Sequence, residues 1–173
     1  MTKKGLTLIE LMISTMMVVI LAGVVIYVFR AILLSWSGSE ARAGINITLN
    51  RGVEEMRRDV TSAKAIASGT NDEVRFTAIN NTNWIYYLHN SNDSYPPHFN
   101  QTKYVLKKAG LSGTLTNGTF TYGDGATILT DVSPPPASDL SFSSNLVTID
   151  LSSVQDNETV RLRTQIKPRN SGL

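Results

Sequence analysis

The sequence contains no cysteine, which excludes disulfides, thiolate metal sites and a thiol nucleophile. A domain outside the cytoplasm would therefore depend on burial of its core alone. Histidine is also scarce, since His89 and His98 are the only two. They flank a polar loop at no recognised metal-ligand spacing, so we expect both to be surface loop residues.

Motifs for catalysis and cofactor binding are missing as well. There is no glycine-rich phosphate loop, no Ser-x-x-Lys and no His-Glu-x-x-His. Asp93 and Asp124 could offer oxygens to calcium, but they do not match EF-hand spacing, and such Asp–Gly or Asn-rich segments usually form turns. We therefore expect no enzyme activity, no cofactor and no metal site, and calcium binding by the C-terminal region stays open.

Charge of one sign is not in excess, because 16 basic and 14 acidic residues give a formal net charge of +2. A protein that binds nucleic acid through charge needs a basic face or a clear basic excess. Residues 69–173 are close to neutral, so nucleic acid is not expected as a general partner.

One long segment lacks any charge or proline: residues 11–29, LMISTMMVVILAGVVIYVF. A helix of about 20 apolar residues can cross a bilayer. Lys3 and Lys4 precede the segment, which predicts a cytoplasmic N-terminus. A cleaved secretory signal and a plain single-span anchor are alternatives, but the segment exceeds the usual length of a signal's apolar region and carries Glu10 at its start.

The string Gly5-Leu6-Thr7-Leu8-Ile9-Glu10, after a short basic leader and before an apolar helix, resembles the type IV prepilin signal. In that family a membrane peptidase cuts after the glycine and methylates the new N-terminus. The resemblance implies cleavage between Gly5 and Leu6 and methylation of Leu6. It also implies that Glu10 is an assembly residue, whose carboxylate pairs in the filament with the free amine of a neighbouring subunit.

Helical periodicity continues beyond the apolar segment, because no proline occurs before Pro96. Residues 40–68 carry apolar residues in steps of three and four, which predicts one buried stripe along a helix: Ile45, Leu49, Val53, Met56, Val60, Ala63 and Ala67. The charged residues Arg51, Glu54, Glu55, Arg57, Arg58 and Asp59 are expected mostly on a solvated face. We predict one long helix over residues 6–68.

After residue 69 the period changes to that of short strands. Candidates are residues 73–79, 83–89, 103–108, 119–122, 126–132, 139–143, 146–151 and 159–166, separated by turn-rich connectors. The last two are expected to form an antiparallel hairpin. The fold class is predicted as α+β and pilin-like, a long N-terminal helix packed on an antiparallel sheet. The organisation is a leader (1–5), a membrane or filament-core helix (6–29), an amphipathic continuation (30–68) and a β-rich head (69–173).

The segments from residue 47 to the ending Ile166-Lys167-Pro168-Arg169-Asn170 resemble J-type minor pseudopilins of type II secretion and W-type minor pilins. The resemblance implies a structural minor subunit of a pilus-like filament that helps to start or shape assembly. Expected partners are other pilin-like subunits, the prepilin peptidase, the inner-membrane assembly platform and the membrane itself. The head would lie outside the cytoplasm on a single inner-membrane span. The alternative is a monomeric membrane-anchored binding module, an adhesin or sensor.

Overall fold

The computed structural model describes residues 7–68, 72–143, 146–155 and 158–169, excluding the side chain of Ser68. Within these ranges the chain forms one α-helix followed by eight β-strands, which confirms the predicted α+β class. The helix is α1 (Leu8–Ser62). The strands are β1 (Ala65–Ser68), β2 (Val74–Thr77), β3 (Asn83–His89), β4 (Tyr104–Leu111), β5 (Ala126–Val132), β6 (Asp139–Ser143), β7 (Leu146–Gln155) and β8 (Glu158–Ile166).

The chain divides into two units, Met1–Glu40 and Ala41–Leu173. The described part of the first unit is the N-terminal portion of α1. The second unit contains the rest of α1 and the whole sheet. It is larger than the β-rich head predicted over residues 69–173, and the name head refers to this whole unit from here on. Each unit has its own chemistry, apolar in the first and mixed in the second.

The head sheet is antiparallel throughout and curled. Strands β1 to β5 pair in sequence order, and β5 then meets β7 at Val132 and Ser153. Strand β7 also pairs with β6 over residues 146–150 and with β8 along nearly its whole length. The predicted β7–β8 hairpin is therefore confirmed. Strand β6 lies beside β1 and β2, at the other end of the strand order.

The predicted apolar stripe of α1 forms the centre of the head core. Its helical members are buried, with Met56 and Val60 fully inaccessible. They pack with sheet residues such as Phe76, Leu106 and Ile149. The period of three to four residues places these side chains on one helix face, and burial of that face against the sheet stabilises the head.

The opposite face of β3 and β4 carries a second, smaller core. Ile85, Tyr87 and Ala109 are buried there beneath Phe120 and Tyr122. Because side chains alternate across a strand, Tyr86 and Leu88 face the main core while Ile85 and Tyr87 face this one. The central strand β3 is thus covered on both sides.

The predicted C-terminal end of the helix is wrong. The helix ends at Ser62, not at residue 68, and residues 65–68 are strand β1. The Ser62 hydroxyl donates to the carbonyls of Arg58 and Asp59, and the Lys64 amide donates to the Thr77 carbonyl at 2.8 Å. Ala65 then continues this pairing opposite Thr77. Pairing with β2 therefore replaces the last helical turns.

Residues 119–122 do not form the predicted strand. The segment makes one isolated bridge, between Ser112 and Thr119. Gly123 and Gly125 follow with φ of +98° and +94°, a backbone conformation that favours glycine. The rings of Phe120 and Tyr122 instead pack on Tyr87, with centroids 4.7 and 5.6 Å away. Aromatic packing, and not a strand ladder, determines the path of this segment.

Candidate assembly site

The large apolar side chains of α1 from Leu8 to Trp36 are all exposed within this single chain. The stretch is long and apolar enough to cross a membrane. Side chains cover every side of the helix, so no single stripe identifies a core-facing side in this unit. Grooves along it, such as the one lined by Leu11, Thr15 and Val18, are bounded by one helix only. This surface therefore needs cover from lipid or from other helices.

Thr7 and Glu10 form a capping box at the start of α1. The Thr7 amide and hydroxyl both donate to Glu10 Oε2 at 3.0 Å, and the Glu10 amide donates back to Thr7 Oγ1 at 3.4 Å. This reciprocal arrangement satisfies amide donors that an uncapped helix would leave unpaired. The Thr-x-x-Glu spacing is a sequence signal for this box.

Glu10 therefore has a partner within its own chain, in addition to the intersubunit role expected from the prepilin resemblance. Its side chain lies on the exposed surface of the helix end. The predicted cleavage and methylation positions, Gly5 and Leu6, lie outside the described residues. Of the predicted site residues, Glu10 is therefore the one that lies within the described ranges, in the first turn of the apolar helix.

The two histidines have separate surroundings in the head. The His89 ring packs on Tyr122 with centroids 4.7 Å apart, whereas His98 Nδ1 lies 3.2 Å from Asp93 Oδ1. Burial, with a smaller contribution from Lys107, lowers the pKa of His89. Among the described residues, no three histidine, aspartate or glutamate side chains are grouped to hold a metal ion.

Asp93, one of the two possible calcium ligands, organises its own loop. It accepts hydrogen bonds from the amides of Ser94, His98 and Phe99 and from the Tyr104 hydroxyl at 2.8 Å. Burial by itself would raise the pKa of Asp93, but the bonds from Tyr104, His98 and Ser94 outweigh it and lower the pKa to about 2. The Asp93 carboxylate is thus already hydrogen-bonded to groups of the protein itself.

Asp124, the other possible calcium ligand, lies in an exposed turn. Its carbonyl accepts a hydrogen bond from the Tyr87 hydroxyl at 2.7 Å, and that hydroxyl also accepts from the Gly123 amide at 3.1 Å. The turn is therefore fastened to the small core through backbone groups. The predicted turn is confirmed. Asp93 and Asp124 lie in different loops.

A polar contact between helix and sheet was missed by sequence reasoning. Asp59, predicted with the solvated charges, faces the sheet: its Oδ2 accepts from Lys108 Nζ and, at 2.8 Å, from the Tyr86 hydroxyl. Lys108 Nζ also lies 5.1 Å from the centroid of Trp84. Burial, and then the contact with Asp59, raises the pKa of Tyr86, so its hydroxyl remains a donor. Tyr86 and Trp84 pack in the main core, and Tyr87 packs in the small core.

A second missed contact is the buried pair Glu73 and Arg75. The Glu73 side chain is 1% exposed and lies 2.7 Å from Arg75. Tyr95 donates its hydroxyl to Glu73, while Arg75 donates to the carbonyls of Thr116 and Gly118. The pair thereby joins β2 to two distant loops. The i and i+2 spacing of Glu73 and Arg75 was a local signal, but the loop partners were not visible in sequence.

No protein-family model, curated protein or solved structure matches this chain. A functional conclusion therefore depends on the residues themselves. The relevant features are the Gly5–Glu10 string, the uncharged helix that follows it and the α+β head.

Proposed function

We propose that this protein is a structural minor subunit of a type IV pilus-like filament or type II secretion pseudopilus, which helps to initiate or shape assembly. The observation that carries the proposal is Glu10 at the start of an uncharged apolar helix, within the string Gly5-Leu6-Thr7-Leu8-Ile9-Glu10. The exposed apolar surface of α1 adds support, because packing with neighbouring helices would cover it.

Electrostatics explains why an assembling subunit would keep this carboxylate. A charged group at the edge of an apolar layer is costly unless it is paired, and such groups usually have a function. Cleavage after Gly5 would create a free amine at Leu6, and Glu10 would pair with the amine of a neighbouring subunit. A subunit at the extreme tip has no neighbour above it, so retention of Glu10 favours a place beneath another minor subunit.

The proposed setting follows from the same residues. Lys3 and Lys4 favour a cytoplasmic N-terminus, so the head would lie on the opposite side of the inner membrane, outside the cytoplasm. The prepilin peptidase would process the leader, and the assembly platform would receive the trimmed subunit. No catalytic or cofactor role is proposed for the head.

A monomeric membrane-anchored binding module is the second candidate, and the capping box favours it. Thr7 provides Glu10 with hydrogen bonds inside one chain, so the carboxylate would be useful without a filament. The two candidate functions differ in which property of the Glu10 side chain they require. Assembly requires its negative charge, whereas capping requires only a hydrogen-bond acceptor at that position.

Two substitutions separate these requirements. Glu10→Gln keeps a side-chain acceptor suited to the capping box but removes the charge, while Glu10→Ala removes both. The measurement is crosslinking between apolar helices in native membranes, together with the yield of assembled filament. If the charge serves assembly, both variants should insert, be trimmed normally and lose crosslinks to the minor partners by about tenfold, the order expected for 1–3 kcal/mol of lost coupling between sites.

The opposite results have distinct meanings. Normal crosslinks and assembly in Glu10→Gln, with a defect in Glu10→Ala alone, would assign Glu10 to helix capping. Normal assembly in both variants would leave Glu10 as a simple interfacial residue. Mass spectrometry of the membrane-extracted protein provides an independent check, because an intact Met1 would favour the monomeric binding module.

A further inference from the structure

The last strand, β8, has one edge that faces no other strand of the sheet. Within the described ranges β8 pairs with β7 alone, and no loop forms a backbone hydrogen bond with it. The strands at the two ends of the strand order, β1 and β6, lie beside each other instead. In an antiparallel ladder, alternate residues of an edge strand direct their amide and carbonyl groups away from the sheet. The described part of the chain therefore leaves a row of β8 backbone groups available for pairing.

The β8 edge lacks most of the features that prevent strand addition at exposed edges. Such edges are usually short, interrupted by a bulge or occupied by proline. Strand β8 is 9 residues long, its pairing with β7 runs without a bulge, and the next proline, Pro168, comes after the strand has ended. The pairing of β4 with β5, in contrast, contains register shifts. The β8 edge is thus regular and long enough to accept a further strand.

The two faces of β8 determine which side chains an added strand would meet. On the face toward the main core, Val160 and Leu162 are only partly buried. An added strand would cover them with apolar side chains at alternate positions. On the other face the Arg161 and Arg163 side chains are 55% and 64% exposed. A fitting segment therefore alternates apolar side chains with side chains that suit arginine.

The arginines disfavour a second copy of β8 as the added strand. In a two-fold antiparallel pairing centred on Leu162, Arg161 of each copy would stand opposite Arg163 of the other, and like charges opposite each other destabilise a sheet. Asp150 of β7 contacts both arginines, and Asp139 of β6 lies one strand further from the edge. The guanidinium groups are therefore the charges nearest to an added strand, which favours carboxylates at the facing positions.

We propose that the β8 edge binds an extended acidic segment of a different protein, which adds one strand to the head sheet. The segment would place carboxylates beside Arg161 and Arg163 and aliphatic side chains beside Val160 and Leu162. In this mode of binding, backbone hydrogen bonds supply affinity and alternate side chains supply specificity. The proposal concerns the head alone, so it is independent of which candidate function is correct.

The probe is a fluorescently labelled peptide of alternating glutamate and valine, equal in length to β8. It is added at pH 7 to the full chain in detergent micelles, with empty micelles as the blank, and binding is measured by fluorescence anisotropy. One matched peptide has lysine in place of glutamate, and another keeps glutamate but has every backbone amide N-methylated. We expect the glutamate–valine peptide to bind and both matched peptides to bind at least about tenfold more weakly, because each lacks the charges or the backbone donors.

Two variants of Arg163 test the charge on the protein side. Arg161 supplies both hydrogen bonds to Asp150, so those bonds remain when Arg163 is replaced. Arg163→Glu should weaken binding of the glutamate–valine peptide by about tenfold, whereas the matched control Arg163→Lys should keep it. The comparison among the three peptides uses the wild-type chain and so does not depend on how either variant folds.

Amide hydrogen exchange locates the bound peptide. Saturating glutamate–valine peptide should increase protection of β8, while protection of β3 and β4 stays unchanged. Equal affinity for the N-methylated peptide, or unchanged protection of β8, would overturn strand addition. Absence of binding up to about 1 mM peptide would show that the edge accepts no such strand. Protection of β8 that rises with protein concentration without peptide would assign the edge to a second copy and would also overturn the proposal.

Discussion

Gly52 sits where helix α1 packs against the side chain of Leu129 in β5. A Cβ added at Gly52 would lie 2.5–2.8 Å from three Leu129 atoms, which is closer than nonbonded carbons can approach. Leu129 is itself 2% exposed and has little room to move. Glycine is therefore required there by packing, although it weakens a helix.

Gly52→Ala should destabilise the head by about 2 kcal/mol despite the higher helix propensity of alanine, because overpacking dominates. Gly44 is the matched control: it lies in the same helix with nothing within 4 Å of an added Cβ. Gly44→Ala should stabilise by up to about 1 kcal/mol. Chemical denaturation of both variants measures the difference, and equal effects would show that helix propensity alone governs both positions.

Asp93 determines the pH dependence of its loop. Its pKa of about 2 in the folded chain lies below the ordinary value of 3.8. The stabilisation is therefore complete above about pH 4 and is lost as the pH falls through about 2. Asp93→Asn should unfold at a lower Tm than the wild type at pH 7, and the gap should close as the pH approaches 2.

Asp124→Asn serves as the control for this measurement. Its side chain forms no hydrogen bond among the described contacts, so the Tm should match the wild type across the same pH range. A gap between Asp93→Asn and the wild type that persists unchanged to pH 2 would contradict the assignment of a lowered pKa to Asp93.

At the scale of elements, Asp59 joins helix α1 to strands β3 and β4 through Tyr86 and Lys108. Hydrogen bonds to charged groups contribute about 1.5–3 kcal/mol when they are shielded from water. We expect Asp59→Ala to destabilise the head by about 2–3 kcal/mol and Tyr86→Phe by about 1.5 kcal/mol. The double variant should lose less than the sum, because both changes remove the same hydrogen bond. Additive losses, measured by urea denaturation, would mean that the two side chains act independently.

The apolar stripe of α1 provides a second prediction at this scale. Met56 is fully buried against the sheet, so Met56→Asp places a carboxylate in the core without a partner. We expect a loss of several kcal/mol, seen as a lower Tm and faster proteolysis of the full chain in detergent. Met56→Leu keeps the volume and should remain close to the wild type. A normal Tm for Met56→Asp would contradict burial of this stripe.

At the scale of the whole molecule, the prepilin assignment predicts how the N-terminus is processed. We expect a peptidase that cuts next to glycine to have no room for a larger side chain there, so Gly5→Glu should insert into the membrane but remain uncut. Mass spectrometry should find Met1 in this variant and an N-methylated Leu6 in the wild type. Normal trimming of Gly5→Glu would reject the prepilin assignment, whatever role Glu10 has.

Much of this architecture is encoded locally. The apolar run 11–29 and the stripe from Ile45 to Val60 follow from composition and helical period, which depend only on neighbouring residues. Alternation and turn residues likewise predicted the bounds of β3, β5 and β6 as the structure has them. The Thr7-x-x-Glu10 spacing encodes the capping box in the same local way.

The end of α1 and the polar contacts of the head were decided by tertiary structure. The residues after Ser62 suit either helix or strand, and pairing with β2 made residues 65–68 a strand. Asp59 meets Lys108 and Glu73 meets Tyr95 only after the sheet has curled. No local period encodes such pairs, because a carboxylate's charge state and partners depend on which distant strands fold against it.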